Sequence, residues 1–247
     1  RSKHLQILED HLRAAGVQFD TPPATNGAST ARCLIAVTPD AQRSMSTFLG
    51  ACTALTPDDI DDKLVARSAV TYLEGYLYDP PEAKNAFHKA ARAAAMAGQK
   101  VSLSLSDPFC VDRYRAEFQD LVSNHVDILF ANEAEIVSLY QVAGFDEALA
   151  AVRGQCDVAA LTRSEKGSVI VTGEQVIDVP ARPVERLVDT TGAGDLYAAG
   201  FLFGYTRGLD PAECGALGSL AAAEIISHFG ARPETSLQEL MARDGFA

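Results

Sequence analysis

The pattern that most constrains the fold is a regular alternation of short apolar segments and amphipathic segments through the middle of the chain. Strands are predicted at 68–72, 101–105, 127–130 and 158–161, and helices at 82–98, 113–124, 133–142 and 145–154. Strands that alternate with helices of this length form βαβ units, whose strands lie parallel in one sheet. The alternation therefore predicts an α/β fold with a mostly parallel sheet.

Two predicted hairpins flank this alternation. The first joins segments 31–38 and 44–49 through Pro39 and Asp40, and the second joins 168–171 and 175–179 through Gly173. Proline, aspartate and glycine favour the backbone angles of tight turns. Thr56 and Pro57 are predicted to begin a short helix. Further helices are predicted at 4–15, 195–207, 211–228 and 236–243.

Composition excludes several classes of protein. The 247 residues are 47% hydrophobic and carry a net charge of −12. An acidic chain is a poor partner for nucleic acid or an anionic membrane, and no apolar run reaches the roughly 18 residues of a membrane span. The five cysteines are widely spaced and form no Cys-x-x-Cys. They predict buried thiols in a reducing cytoplasm, not a disulfide framework or a zinc site.

The most informative short segment is Asp189-Thr190-Thr191-Gly192-Ala193-Gly194-Asp195, which precedes a predicted helix. Small residues let successive backbone N–H groups point at an anion, and the positive end of the helix dipole adds to this field. The turn therefore predicts a phosphate site. Asp195 has two interpretations: a base that accepts a proton from an attacking hydroxyl, or a residue that caps its helix.

Polar residues follow each predicted parallel strand, at the edge where α/β sheets bind ligands. They are Glu74-Gly75-Tyr76, Asp107-Pro108-Phe109, Asn132 with Glu135, and Thr162 to Gly167. Turn and capping functions account for some of them: Asp107-Pro108 is typical of a turn, and the spacing of Asn132 and Glu135 also fits a capping box. The chain has no P-loop and no Gly-x-Ser-x-Gly, so phosphate binding falls to residues 192–194.

The string Asp-Thr-Thr-Gly-Ala-Gly-Asp-x-x-x-x-Gly-Phe-Leu resembles the C-terminal signature of the ribokinase-like (PfkB) family of sugar and nucleoside kinases. The resemblance extends from Gly16 to Ala231. It implies a three-layer α/β/α sandwich with a mostly parallel sheet. It also implies one kinase domain over 1–247, with 31–49 as part of a small β lid over the substrate.

The resemblance also implies roles for individual residues. Asp195 would be the catalytic base, and Gly192, Ala193 and Gly194 would form the anion hole. ATP would contact Asn132, Thr162, Gly167, His228 and Gly230. Metal ligands would be Asn132, Glu135, Asp189 and Thr191, with Mg²⁺ held largely through water. Tyr76 and Phe109 would join Asp195 in binding the substrate. Ser164 departs from the family's Thr-x-Gly-x-x-Gly loop, where a glycine is usual.

The implied reaction is transfer of the ATP γ-phosphoryl group to an alcohol, with Mg²⁺. Three stretches, at 38–43, 73–76 and 105–113, resemble bacterial adenosine kinases and favour adenosine as the acceptor. The alternatives are a sugar kinase acting on ribose, fructose or a related ketose, and a homologue that binds a nucleoside or sugar without turnover. The sequence leaves open whether K⁺ is required and whether the chain forms a homodimer.

The resemblance finally predicts that this sequence is incomplete. Family members begin with a strand, an early aspartate and a Gly-Gly substrate motif, whereas this chain opens with a predicted helix at 4–15. Lid strands and substrate-binding residues would then lie outside it.

Overall fold

The computed structural model describes residues 3–246, and side chains from residue 6 onward. Residues 1, 2 and 247 of the predicted domain lie outside the described residues. The strands are β1 (Arg32–Val37), β2 (Arg43–Phe48), β3 (Val70–Glu74), β4 (Lys100–Ser104), β5 (Ile128–Asn132), β6 (Val158–Thr162), β7 (Ser168–Thr172) and β8 (Val176–Val179). The helices are α1 (Lys3–Ala14), α2 (Asp62–Arg67), α3 (Pro81–Met96), α4 (Pro108–Asn124), α5 (Glu133–Tyr140), α6 (Phe145–Val152), α7 (Ala193–Tyr205), α8 (Pro211–Ile225) and α9 (Leu237–Arg243).

The main sheet has six strands in the order β3-β4-β5-β6-β7-β8. Strands β3 to β6 are parallel, and β7 and β8 continue the sheet as antiparallel strands. The four predicted parallel strands are confirmed, with each boundary within two residues of the prediction. Their carboxyl ends therefore lie along one edge, as the βαβ pattern requires.

Side chains of successive strand residues enter different cores, because they point to opposite faces of a sheet. Along β5, Ile128 and Phe130 belong to the core that includes residues of α7 and α8. Leu129 and Ala131 belong to the core that includes residues of α3, α4, α5 and α6. Helices cover both faces, so the predicted three-layer α/β/α sandwich is confirmed. None of the described helices is long and apolar enough to cross a membrane.

Helices α7 and α8 approach each other closely because glycines face the contact. A methyl group at Gly200 would overlap the carbonyl group of Leu217, and one at Gly218 would lie 2.8 Å from the carbonyl oxygen of Tyr197. The last glycine of the signature string is thus needed for backbone-to-backbone packing. This packing fixes the direction of α7 and the position of its amino end.

The first predicted hairpin is confirmed as a separate two-stranded antiparallel sheet, with Arg32 opposite Phe48 and Val37 opposite Arg43. Its strands are almost entirely exposed. At the turn, the Thr38 amide donates to the carbonyl oxygen of Gln42 at 2.8 Å.

Two predicted helix boundaries are wrong, the start of α4 and the end of α8. Helix α4 begins at Pro108 instead of 113, since Asp107 accepts a hydrogen bond from the Phe109 amide at 2.7 Å and caps the helix. The short helix predicted at Thr56 and Pro57 is confirmed as a 3₁₀ helix over Pro57–Asp59 with Thr56 as its cap, and helix α2 has its own cap at Asp61. Helix α8 ends at Ile225, three residues before its predicted end.

The prediction that the cysteines are buried is wrong for four of the five. Cys214 is buried, Cys33 is exposed on the β1–β2 hairpin, and Cys52, Cys110 and Cys156 are half-buried.

Candidate active site

The loop before α7 is held by a buried carboxylate. Asp189 Oδ1 accepts hydrogen bonds from the Thr191 amide at 2.9 Å and from Thr191 Oγ1 at 2.6 Å, and its Oδ2 accepts from the Gly230 amide at 3.1 Å. Burial opposes ionisation of Asp189, but these hydrogen bonds outweigh it and hold the pKa below its usual value. Asp189 therefore connects two segments that lie 41 residues apart.

Gly192 gives the loop its shape. Its φ of +83° is in the left-handed region that favours glycine. A methyl group there would also contact Ala231 at 3.3 Å. Helix α7 starts at the next residue, so the amides of its first turn follow directly on this bend. We call residues 189–194 the anion loop.

Asp195 lies in the first turn of α7, with Gly192 at the capping position and no side-chain cap. The capping interpretation of Asp195 is therefore wrong. The side chain is exposed. Burial is the main cause of the raised pKa of both Glu74 and Tyr72, and the charge of Asp195 adds to both. The carboxylate of Asp195 thus acts electrostatically on the carboxyl end of β3.

Glu74 is a polar residue to which the sequence assigned no function. Burial is the main cause of its raised pKa, and the charge of Asp195 adds to it. Ser106 Oγ donates a short hydrogen bond to Glu74, and the Tyr72 hydroxyl donates another at 3.2 Å. The signal that marks Glu74 is its place at the carboxyl end of β3, two residues before the predicted aromatic contact Tyr76.

The two predicted substrate aromatics lie at the same edge of the sheet and expose much of their surface. Tyr76 is 52% exposed and Phe109 is 79% exposed. Burial and the charge of Asp107 raise the pKa of Tyr76 to about 12, so its hydroxyl stays protonated at neutral pH. Exposed apolar rings near a polar cluster are typical of a surface that stacks on a ligand.

Asn132 and Glu135 form the capping box that their spacing suggests. The Asn132 amide donates to Glu135 Oε2 at 2.9 Å, and the Glu135 amide donates to Asn132 Oδ1 at 2.9 Å. Asn132 Nδ2 also donates to Glu135 Oε1 at 2.6 Å. Burial raises the pKa of Glu135 to about 7, and the charges of Asp107 and Glu74 contribute. Both carboxylate oxygens of Glu135 therefore accept hydrogen bonds from Asn132.

The loop between β6 and β7 contains Ser164, at the position where the family usually has glycine. Ser164 has a φ of +53°, the left-handed conformation for which the family's glycine is suited. Gly167 has a φ of +86°, and a methyl group on it would overlap the carbonyl oxygen of Val179. Thr162 and Asn132 line an adjoining cleft of about 620 Å³, whose wall includes Arg163.

The segment 228–235 lies against the anion loop. Gly230 donates to Asp189, and Ala231 contacts Gly192 in the way described above. The His228 ring is 13% exposed, and its Nε2 lies 3.3 Å from Glu224 Oε1. His228 and Gly230, which are predicted to contact ATP, therefore belong to a segment that lies against the predicted anion hole.

Arg43 is a residue for which the sequence predicted no function. Its guanidinium group donates a short hydrogen bond to Thr190 Oγ1, across 147 residues of sequence, and its charge favours the ionised form of Asp189. The β1–β2 hairpin thus brings a cation to the anion loop. An arginine beside a predicted lid turn was the available signal, because a guanidinium group suits phosphate.

In residues 3–246, no three His, Cys, Asp or Glu side chains come together in a way that could hold a metal ion directly. The predicted nucleotide, metal and substrate roles of these residues stay predictions.

Comparison with known proteins decides the family. The model of the pfkB family carbohydrate kinases matches residues 3–237. The chain belongs to this family. Family membership agrees with the signature string and with the sandwich around it, and it identifies the chain as a member of a family of phosphotransferases.

Two solved structures resemble this PfkB chain over almost its whole length. Adenosine kinase from Sinorhizobium meliloti is 49% identical, with a TM-score of 0.96, and the match covers 99% of this chain and 75% of that one. A probable sugar kinase protein from Rhizobium etli is 48% identical, with a TM-score of 0.96, and the match covers 100% of this chain and 75% of that one.

Three curated relatives match this PfkB chain over about half of its length. A nucleoside kinase from Methanocaldococcus jannaschii is 33% identical over 120 residues, which is 48% of this chain and 38% of the relative. In these three matches, the chain spans between 38% and 49% of the length of the relative.

Proposed function

We propose that this protein transfers the γ-phosphoryl group of ATP to a hydroxyl group of a nucleoside, with adenosine as the preferred acceptor. The observation that carries the proposal is the 49% identity to the Sinorhizobium meliloti adenosine kinase over 99% of this chain. The two proteins also have nearly the same backbone, with a TM-score of 0.96. This agreement supports a similar substrate class.

Asp195 is the proposed base. Its carboxylate is exposed beside the anion loop and has no capping hydrogen bond that would keep it from a ligand. In the proposed reaction Asp195 takes the proton from the acceptor hydroxyl as the new P–O bond forms. The bond between the γ-phosphorus and the bridging oxygen breaks, and ADP leaves with that electron pair.

The charge that develops on the transferring phosphoryl group needs donors fixed in advance. Three groups of this chain supply them in our proposal. They are the amides at Gly192, Ala193 and Gly194, the positive end of the α7 dipole, and the guanidinium group of Arg43. Arg43 comes from the β1–β2 hairpin, so the lid would complete the site when it lies on the anion loop.

The residues present also fit a magnesium ion. Mg²⁺ prefers oxygen ligands and keeps several of its waters. Glu74, Asp107 and Glu135 lie near enough that the charges of Glu74 and Asp107 raise the pKa of Glu135, and a divalent cation would offset this repulsion. Bound Mg²⁺ would neutralise charge on the phosphates, while Asn132 and Glu135 would hold its water shell. Asp189 and Thr191 bond mainly to each other, which favours a supporting role over direct ligation of Mg²⁺.

A coupled assay of ADP release tests the proposal. The acceptors are adenosine, inosine, cytidine, ribose and fructose, each at a range of concentrations with ATP and Mg²⁺. We expect the highest kcat/KM for adenosine. A clearly higher value for ribose or fructose would refute adenosine as the preferred acceptor. The second candidate, a sugar kinase, is favoured by the 48% identity to the Rhizobium etli protein. Binding of adenosine without ADP release would support the non-catalytic alternative.

A further inference from the structure

Glu224 is a buried carboxylate in the last turn of α8, outside the signature string. It is 8% exposed. Negative charge near the carboxyl end of a helix is unfavourable, and burial adds a desolvation cost. Its Oε2 has no hydrogen-bond partner among the described residues. Stability alone therefore explains a glutamate at this position poorly. The contacts of its other carboxylate oxygen, Oε1, suggest a further role.

Glu224 Oε1 binds the backbone of segment 228–235. It accepts hydrogen bonds from the Glu234 amide at 2.8 Å and from the Thr235 amide at 2.7 Å. Both donors lie ten or more residues further along the chain, so these contacts fix a loop and do not extend the helix. Charge-assisted hydrogen bonds of this length are among the stronger ones in proteins.

His228 joins the same carboxylate. Its Nδ1 lies 3.2 Å from the Phe229 carbonyl oxygen, so Nδ1 carries a proton. Its Nε2 lies 3.3 Å from Glu224 Oε1, within ion-pair distance but without hydrogen-bond geometry. Burial lowers the pKa of His228, but the contacts with Phe229 and Glu224 outweigh burial and raise it. Glu224 therefore contacts both ends of the segment.

The other side of the segment contacts the anion loop. Gly230 donates to Asp189 at 3.1 Å, and Gly192 lies directly against Ala231. The segment is thus held between two buried carboxylates, Glu224 behind it and Asp189 in front. Loosening one of these attachments would move the backbone that packs against Gly192.

We propose that Glu224 is a positioning residue for the phosphoryl donor. It holds segment 228–235 against the anion loop, so that this part of the nucleotide-binding surface is already in place before ATP binds. The inference rests on the proposed function, because the nucleotide is ATP in that proposal. It predicts that Glu224 affects binding of ATP more than the chemical step, since it touches neither the base nor the anion-loop amides.

The test compares Glu224→Ala with Asp127→Ala. Asp127 is a matched control, because its carboxylate also accepts a backbone amide, from Val101 at 2.8 Å, and a cation, Lys100 at 2.7 Å. It lies at the amino ends of the strands, away from the anion loop. Calorimetry gives the ATP Kd, steady-state kinetics give KM and kcat, and hydrogen exchange reports on the Glu234 and Thr235 amides.

We expect Glu224→Ala to raise the ATP Kd and the KM for ATP by about tenfold or more, the usual weight of hydrogen bonds to a charged group. The fall in kcat should be smaller, and both amides should exchange faster. Glu224→Gln keeps the acceptor oxygen and should recover part of the affinity. Asp127→Ala should lower Tm and leave the ATP Kd within about twofold.

An ATP Kd within twofold of the wild type in Glu224→Ala would overturn the inference. So would an equal rise in Asp127→Ala, because the effect would then follow general destabilisation. A wild-type protein that binds no ATP would instead refute the proposed function. The two failures are therefore distinguishable.

Discussion

Replacement of Asp195 by asparagine separates catalysis from stability. Asparagine keeps the size of the side chain and removes the negative charge. Because Asp195 is exposed and does not cap α7, its stabilising contribution is limited to its interaction with the helix dipole. That interaction contributes about 0.3–1 kcal/mol, which in a chain of this size lowers Tm by at most roughly 4 °C. Removing the repulsion from Glu74 offsets part of this loss.

The effect on turnover should be far larger. Loss of a general base lowers kcat by roughly 10²–10⁴-fold, or about 2.7–5.4 kcal/mol in the barrier. ATP binding should persist or tighten slightly, because a negative charge near the triphosphate is lost. The expected signature is therefore a large loss of kcat with nearly unchanged Tm and unchanged or tighter ATP binding.

The assay is ADP release with adenosine, alongside thermal melts with and without ATP. Asp146→Asn is the matched control, because Asp146 is an exposed aspartate in the first turn of α6. It should share the small change in Tm and keep the wild-type kcat. A kcat of Asp195→Asn within about threefold of the wild type would refute Asp195 as the base, since the expected loss begins at roughly a hundredfold.

Three further substitutions test other parts of the site. Arg43→Ala removes the cation that the hairpin brings to Thr190; we expect kcat/KM to fall by at least about tenfold with Tm unchanged, as measured by ADP release and melting. Ser164→Gly relieves a left-handed serine and should raise the free energy of unfolding by about 0.5–1 kcal/mol, as measured by urea denaturation. Glu74→Gln should stabilise the protein at pH 8 more than at pH 4.5, as measured by denaturation at both pH values. The folded-state pKa of Glu74 is raised, so the stability that the protonated carboxyl contributes below its unfolded pKa is lost as pH rises through the folded pKa.

The predictions for Arg43 and Ser164 each have a control variant. Arg32→Ala removes another exposed arginine of the hairpin and should leave kcat/KM unchanged. Ser123→Gly, in the helix α4, should destabilise the protein, because helical glycine is unfavourable. For Glu74, a difference from the wild type that is equal at both pH values would contradict a raised pKa.

Much of the fold could be predicted because it depends on local pattern. The strand at 158–162 is an apolar run, and the hairpin turn at Pro39-Asp40 has the residues that turns require. The start of α4 was missed for a reason that is also local: Asp107 suits both a turn and a helix cap, and the sequence pattern does not distinguish them.

The parts of the site that the sequence missed depend on long-range contacts. No local pattern connects Arg43 with Thr190, or Asp195 with Glu74, because only the tertiary fold brings these distant residues together. The hydrogen bonds from the segment 228–235 to Glu224 are also contacts that no local sequence pattern indicates. By contrast, the anion loop is a contiguous string, so its residues could be named in advance.

The hydrogen bonds that hold the anion loop have a consequence for the order in which the site can form during synthesis. The Val188 amide donates to the carbonyl oxygen of Ile226 at 2.9 Å, and Asp189 accepts from Gly230. A nascent chain that has just completed α7 therefore contains every residue of the signature string but lacks the partners that shape it. We expect the sheet to assemble while the ribosome is still working, whereas the proposed phosphate site must wait until residues 226–230 have been added. A chain truncated at 225 should fold much of its sheet and bind no nucleotide.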